Sequence, residues 1–391
     1  MCHSIYIHIP FCHHRCNYCD FATNVGRAEL IPGYVEALTQ EFRVVSKNVG
    51  EINVHSIYFG GGTPSILSIH QYKKLLVSLK SQFLIKKNCE ICLEANPGTL
   101  SKEYLSGLKD LGFNRISMGV QSTNPSDLNR LERIHDLEDV LLNIKYARKV
   151  GIKNINIDLI FGLPWQDLQS WKNNLERAIQ LNPGHFSLYS LIIEEGTAIY
   201  DWYNRGLITL LDQDIEGEMF EYAMERLDQA GYEHYEISNW SKRDPYIDYR
   251  CRHNMQYWLN LPYLGFGVSA HGYFGGVRTI NTPNLSEYIN KANQNKIGQV
   301  SLLSPANTSS KIINKNTQMK DQLLLGLRLT QSGVDNGEFS SRFGKLIEDV
   351  FEEEIKLLEK QGLVEWWKGR NFLRLTKRGV MVANQVFMHF V

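Results

Sequence analysis

No stretch of the 391-residue sequence reaches the roughly 18 consecutive apolar residues that a membrane-spanning helix needs, so no transmembrane segment is expected. The start, Met1-Cys2-His3-Ser4-Ile5-Tyr6-Ile7-His8-Ile9-Pro10, has neither a basic lead nor a long apolar stretch and does not read as a signal peptide. The expectation is a cytoplasmic chain, with peripheral membrane contact compatible with it. Neither sign of charge is in surplus: 42 Lys plus Arg face 42 Asp plus Glu, for a formal charge of +0. Proteins that live on nucleic acid favour a basic surplus, so no nucleic-acid partner is expected. Cysteine is sparse and odd in number, at 7. In a reducing compartment that favours thiols or metal ligands over disulfides. There is no low-complexity tract and no internal repeat beyond an alternation of strands and helices. With 43% hydrophobic and 21% charged residues, the chain is neither disordered nor fibrous.

The first half alternates short β-rich runs with longer helical patterns. The runs are Ser4–Ile9, Val54–Phe59, Glu90–Ala95, Arg115–Val120, Asn154–Ile160 and His185–Leu191. Between them lie Tyr34–Ser46, Gln71–Gln82, Lys102–Leu111, Glu138–Lys149 and Leu168–Leu181. Such alternation implies right-handed crossovers and a parallel sheet. Runs such as Ile155-Asn156-Ile157-Asp158-Leu159-Ile160 read as apolar on both parities, suiting a sheet covered on both faces. Polar or glycine-rich residues gather where each strand ends: the cysteines after the first, Gly60-Gly61-Gly62-Thr63-Pro64 after the second, Glu94 to Gly98 at the third, Gly119-Val120-Gln121-Ser122 at the fourth. Sites in parallel β/α folds are built at these carboxyl ends. The expected fold is α/β: a partial, TIM-like (β/α)6 barrel over 1–231, an aromatic and glycine-rich extension over 232–293, a linker over 294–320 and a small winged-helix-like α+β domain over 321–391.

The sharpest signal is Cys12-His13-His14-Arg15-Cys16-Asn17-Tyr18-Cys19, a C-x-x-x-C-x-x-C loop. Three thiolates that close together hold three corners of a metal or cluster site. Structural zinc wants four protein ligands and usually presents paired C-x-x-C knuckles, and no second suitable knuckle is visible. Cys89 and Cys92 sit on a strand, where positions three apart face opposite sides, so core packing suits them better. An iron–sulfur cluster favours cysteine-only ligation. Held by three cysteines, a 4Fe–4S cluster keeps one iron free for a small molecule.

The motif, placed after the first barrel strand and carrying an aromatic residue before its last cysteine, resembles the signature of the radical S-adenosylmethionine (SAM) superfamily. The lead-in Tyr6-Ile7-His8-Ile9-Pro10-Phe11-Cys12 and the tail Tyr18-Cys19-Asp20-Phe21 resemble its HemN/HemW branch. The resemblance implies a 4Fe–4S cluster on Cys12, Cys16 and Cys19, with SAM on its open iron and a low-potential electron donor as partner. It implies that Tyr6 lies by the cluster and SAM and Tyr18 near the adenosyl group. It further implies that Gly62, Thr63 and Pro64 let the backbone approach SAM, that Glu94 hydrogen-bonds it, and that Gln121, Arg133 and Asp158 line the same pocket. Taken without the resemblance, Glu94 and Asp158 read equally as capped strand ends and Arg133 as a helix cation.

The branch contains an oxygen-independent coproporphyrinogen III dehydrogenase and haem chaperones. The dehydrogenase pattern has a fourth cysteine two residues after the third, where this chain has Phe21, and a longer N-terminal extension. The chaperone pattern carries H-N-x-x-Y-W, matched by His253-Asn254-Met255-Gln256-Tyr257-Trp258. A neutral imidazole ligates haem iron, and Tyr257 and Trp258 offer flat faces to a porphyrin. The resemblance therefore implies haem held at His253, Asn254, Tyr257 and Trp258, and haem-accepting apoproteins as partners. The competing readings are a structural histidine beside a core aromatic pair, His271 as the haem ligand, and an oxidoreductase of tetrapyrrole metabolism as the function.

Overall fold

The computed structural model describes residues 2–293 and 303–391. Six strands stand side by side in sequence order: Cys2–Ile9, Asn53–Gly61, Leu84–Ala95, Arg115–Gln121, Asn154–Phe161 and His185–Ser190. All five pairings are parallel. The connections carry the helices Ile31–Val49, Ile69–Gln82, Lys102–Leu111, Leu137–Lys149 and Leu168–Gln180. Their starts are set locally. Ser68 with Gln71, Asp136 with Asp139 and Asp167 with Ser170 form reciprocal capping boxes that satisfy the first free N–H groups. Apolar faces bearing Leu38, Phe42, Leu75, Leu79, Leu108, Ile144 and Leu175 are buried. This is the partial (β/α)6 barrel with a C-terminal domain.

The chain divides into two compact units that cut across the expected boundaries. One holds residues 1–212 and 262–312; the other holds 213–261 and 313–391. In the first, Tyr263–Phe266 adds in parallel to the first barrel strand, and His271–Phe274, Val277–Asn281 and Asn307–Ile312 follow antiparallel. The expected extension over 232–293 is therefore split between the units. The expected linker over 294–320 is corrected as well: 307–312 is a strand and Lys315–Gly326 a helix, while 294–302 lie outside the described residues. The strand Asn307-Thr308-Ser309-Ser310-Lys311-Ile312 buries only Asn307, so it carries no apolar alternation that marks it as one.

The second unit contains the helix Gln213–Gln229, the hairpin Tyr232–Glu236 and Asn239–Lys242, and the helix Arg252–Trp258. It continues with helices Lys315–Gly326, Asn336–Phe343 and Glu352–Lys360 around a core of Leu323, Leu327, Phe339, Ile347, Phe351, Ile355 and Leu358. Val364–Trp367 and Phe372–Leu375 form an antiparallel pair beside Val334–Asp335. The apolar series from Phe343 to Leu358 reads as one helix in sequence but is two, because Gly344, at φ 75°, closes the first in a left-handed cap. Among the described residues no helix is long and apolar enough to cross a membrane.

Candidate functional site

The cysteine loop leaves the first strand at Pro10 and is pinned on both sides. Phe11–Cys12 pairs with Asn24–Val25, and the buried Phe11 ring meets Tyr34 edge-on at 5.3 Å. The Cys19 N–H donates to the Cys16 carbonyl at 3.1 Å, closing the C-x-x-C turn. The glycine run after the second strand supplies the opposite wall. Gly62 N–H donates to Ile9 O and Thr63 N–H to Phe11 O, each at 2.8 Å. A Cβ at Gly62 would stand 2.9 Å from Cys12 Sγ and 2.7 Å from Phe11 O, so only glycine fits. Thr63 Oγ1 lies 3.5 Å from Cys12 Sγ.

Cys12, Cys16 and Cys19 all face one cavity of about 350 Å³. Burial raises the Cys12 thiol, and raises Cys19 to about 11, with the neighbouring sulfurs adding to it. Held neutral in the metal-free loop, Cys12 and Cys19 become thiolates against positive charge, which iron supplies. Among the described residues no three His, Cys, Asp or Glu side chains converge as around a single metal ion. A cubane takes one thiolate per iron and does not require that convergence. The donor set thus fits a cluster.

Tyr18, Gly62, Thr63, Pro64, Glu94, Gln121, Arg133 and Asp158 line the same cavity, so eight of the nine expected SAM contacts come together. Tyr6 is not in the wall. Its hydroxyl lies 3.0 Å from His8 Nδ1 and its ring stacks on Tyr58, which in turn donates to Glu94 Oε1 at 2.7 Å. Burial lifts Glu94 to about 7, with Asp158 adding repulsion, and lifts Asp158 to about 6. Two carboxylates held that close to neutrality are primed for a cationic ligand, whose charge restores their ionisation.

Arg133 spans the wall. One terminal nitrogen donates to Asn96 Oδ1 at 2.7 Å and to Gly119 O at 2.5 Å, the other reaches Cys16 Sγ at 3.4 Å, and its buried Nε has no partner. An orphaned guanidinium N–H at a cavity suits a ligand carboxylate. Gln121 takes φ 67° where the fourth strand's register slips, a strained geometry that turns its side chain at the strand's end. A molecule bearing ammonium, sulfonium and carboxylate groups matches this set, as SAM does.

Sequence reading missed Asn96, Ser117, Tyr189 and Ile192, which also line the cavity. The strand-end position of Asn96 is the one signal that pointed to it. Phe21, 60% exposed, and Ile192, 70% exposed, stand at the mouth.

The histidine motif belongs to the other unit, on the helix Arg252–Trp258. His253 is 1% exposed, and its Nε2 lies 2.8 Å from the Tyr257 hydroxyl. The Arg328 guanidinium covers the Trp258 ring at 4.4 Å, and Trp258 Nε1 is buried without a partner. Asn254 is partly buried on the same helix. In this arrangement the His253 imidazole is buried and bonded within its own helix rather than open to iron. His271, in the first unit, is exposed.

A family model described as the Radical SAM superfamily matches residues 6–178, and one described as the HemN C-terminal domain matches 313–382. The chain is similar to the "Heme chaperone HemW" of Bacillus subtilis (strain 168), 35% identical over 389 residues and covering 99% of each chain. It is similar to the protein of that name from Lactococcus lactis (strain IL1403), 35% identical over 99% of this chain and 97% of that one. Its structure is similar to that of coproporphyrinogen III oxidase (HemN) from Escherichia coli, with TM-score 0.83 and 26% identity over 99% of this chain and 89% of that one.

Proposed function

The chain belongs to the HemW family of the radical SAM superfamily, and on that premise we propose that it is a haem chaperone that binds haem and passes it to acceptor apoproteins. The family implies SAM and a 4Fe–4S cluster. Within this chain, Cys12, Cys16 and Cys19 hold the cluster, Glu94 and Asp158 take the cationic end of SAM, and Arg133 takes its carboxylate. When bound, the cluster supplies a low-potential electron, for which an external donor is the partner. The observation that carries this part is the convergence of the three thiols, both raised carboxylates and the Arg133 guanidinium on one cavity.

The haem part rests on the relatives' name and on the His253-Asn254-Met255-Gln256-Tyr257-Trp258 motif. Iron ligation through His253 Nε2 requires its bond to Tyr257 to break and the buried ring to become accessible. His271 is the exposed alternative ligand.

A second reading is favoured by the structural similarity to HemN: oxidative decarboxylation of a porphyrinogen at the same cavity. Phe21 at the cavity mouth, where the dehydrogenase pattern places cysteine, counts against it. Anaerobically reconstituted protein separates the two. Haem-loaded protein incubated with an apo-cytochrome should lose its haem to the acceptor, and coproporphyrinogen III should release no carbon dioxide. Carbon dioxide release without haem transfer selects the enzyme.

A further inference from the structure

Below the SAM cavity the barrel interior is polar where such barrels are ordinarily filled by branched apolar side chains. The fifth strand reads Asn154-Ile155-Asn156-Ile157-Asp158, and its period of two places the three polar residues on one face. Register aligns them in rows. Asn156 stands between Ser117 on the fourth strand and His185 on the sixth, and Asp158 between Gly119 and Ser187. Asn156, His185, Ser117 and Ser187 are all buried.

The bonds within these rows run one way. His185 Nδ1 lies 2.6 Å from Asn156 Oδ1, which also accepts from Ser187 Oγ at 3.2 Å. That fixes the amide carbonyl toward the sixth strand. The amide nitrogen then donates to Ser117 Oγ at 2.7 Å and to Asp158 Oδ1 at 2.6 Å, and Ser117 Oγ stands 3.5 Å from Asp158 Oδ2. With its carbonyl reversed, Asn156 would set an acceptor against the carboxylate. The Asp158 carboxylate can only accept, so the amide nitrogen faces it, and the short contact to the amide carbonyl makes Nδ1 the protonated nitrogen of His185; burial and Arg115 hold that imidazole well below its usual range, so it stays neutral. Buried polar groups are costly unless fully bonded, so an ordered set beneath a single carboxylate calls for a role.

We propose that Asn156 and His185 are positioning residues: His185 locks the Asn156 amide so that it presents N–H to Asp158 and keeps that carboxylate ionised and aimed into the cavity. The role presupposes that the cavity takes SAM. Four charged or titratable groups act on Asp158: Glu94 on the third strand, Arg115 on the fourth, Tyr18 in the cysteine loop, and Arg133. Replacing His185 leaves all four in place.

The test is the pH profile of SAM affinity by anaerobic equilibrium dialysis, on protein with verified iron content and thermal unfolding. SAM binds the carboxylate forms, so affinity falls in two steps as pH drops, first through the Glu94 value of about 7 and then through the Asp158 value of about 6, whose midpoint is the one followed. In His185→Leu the midpoint should rise by about one pH unit, weakening binding about fivefold at pH 6 and leaving it unchanged at about pH 8.5. His185→Asn, whose amide N–H replaces the Nδ1–H donor, should restore the profile. Ser117→Ala, a smaller change, should shift the midpoint the same way by less, and serves if the leucine variant fails to fold. Wild-type binding with the same midpoint in the folded variants overturns the positioning role alone. A cluster-loaded wild type that binds no SAM overturns the reading of the cavity, and the role with it.

Discussion

The α-carbon of Gly62 sits so close to Cys12 that a methyl group there would press to 2.9 Å from the sulfur. The glycine run after the second strand therefore serves the cluster as much as SAM, because it leaves Cys12 Sγ room to reach iron. Gly62→Ala should lower iron content after anaerobic reconstitution severalfold while far-UV circular dichroism stays native. Gly33→Ala is the control: it lies in the first helix with nothing within 4 Å of the added carbon, and should stabilise by about 0.5–1 kcal/mol without changing iron content.

Cys12→Ala, Cys16→Ala and Cys19→Ala should each abolish the 4Fe–4S absorbance and EPR signal. Cys89→Ala, Cys92→Ala and Cys251→Ala, all buried and outside the C-x-x-x-C-x-x-C loop in sequence, should retain it. A complete cluster in Cys16→Ala removes the assignment, and so does zinc without iron in an anaerobic preparation.

Glu94 makes opposite contributions to stability and to binding. Its pKa is raised from 4.5 to about 7 in the folded chain, so the folded state holds more protons than the unfolded state between those values. Stability attributable to Glu94 is present below pH 4.5 and is lost as pH rises through 7. Glu94→Gln should therefore raise the Tm of the cluster-free protein at pH 8, by roughly 2–4 °C for each kcal/mol relieved. The same change should weaken SAM binding at pH 8 by about tenfold, as loss of one charge-assisted contact implies. A Tm unchanged between pH 5 and 8 in both proteins contradicts that sign.

Tyr257 holds the imidazole that haem is proposed to use. Tyr257→Phe removes that bond, worth about 0.5–1.5 kcal/mol, and should tighten haem binding about threefold to tenfold if His253 is the ligand. His253→Ala should shift the Soret band, and Trp258→Ala should weaken binding with less spectral change. If His271→Ala alone alters the spectrum, the axial role belongs to His271.

The barrel was legible in the strand–helix alternation, and one wall of its cavity in the cysteine loop and the polar strand ends, where Glu94 stands. Asp158, in mid-strand, and Arg133 were legible only through the family resemblance; the cavity brings both to the cysteines. The polar column was not legible. Asn154, Asn156 and Asp158 alternate with isoleucines, yet the run reads as apolar on both parities when Leu159 and Ile160 are included. Strand Asn307–Ile312 resembles a linker in sequence because its exposed residues are Thr, Ser, Lys and a single Ile, and its pairing comes from the neighbouring strand rather than from burial. Nor does spacing reveal that His253 and Tyr257, one helical turn apart, satisfy each other.

Anaerobic haem titration of the reconstituted protein, followed at the Soret band, tests the central claim most directly. The chaperone reading predicts saturation at about one haem per chain, with a histidine-type spectrum that His253→Ala or His271→Ala changes. Absence of saturable haem binding in protein that carries a full cluster and responds to SAM would contradict it.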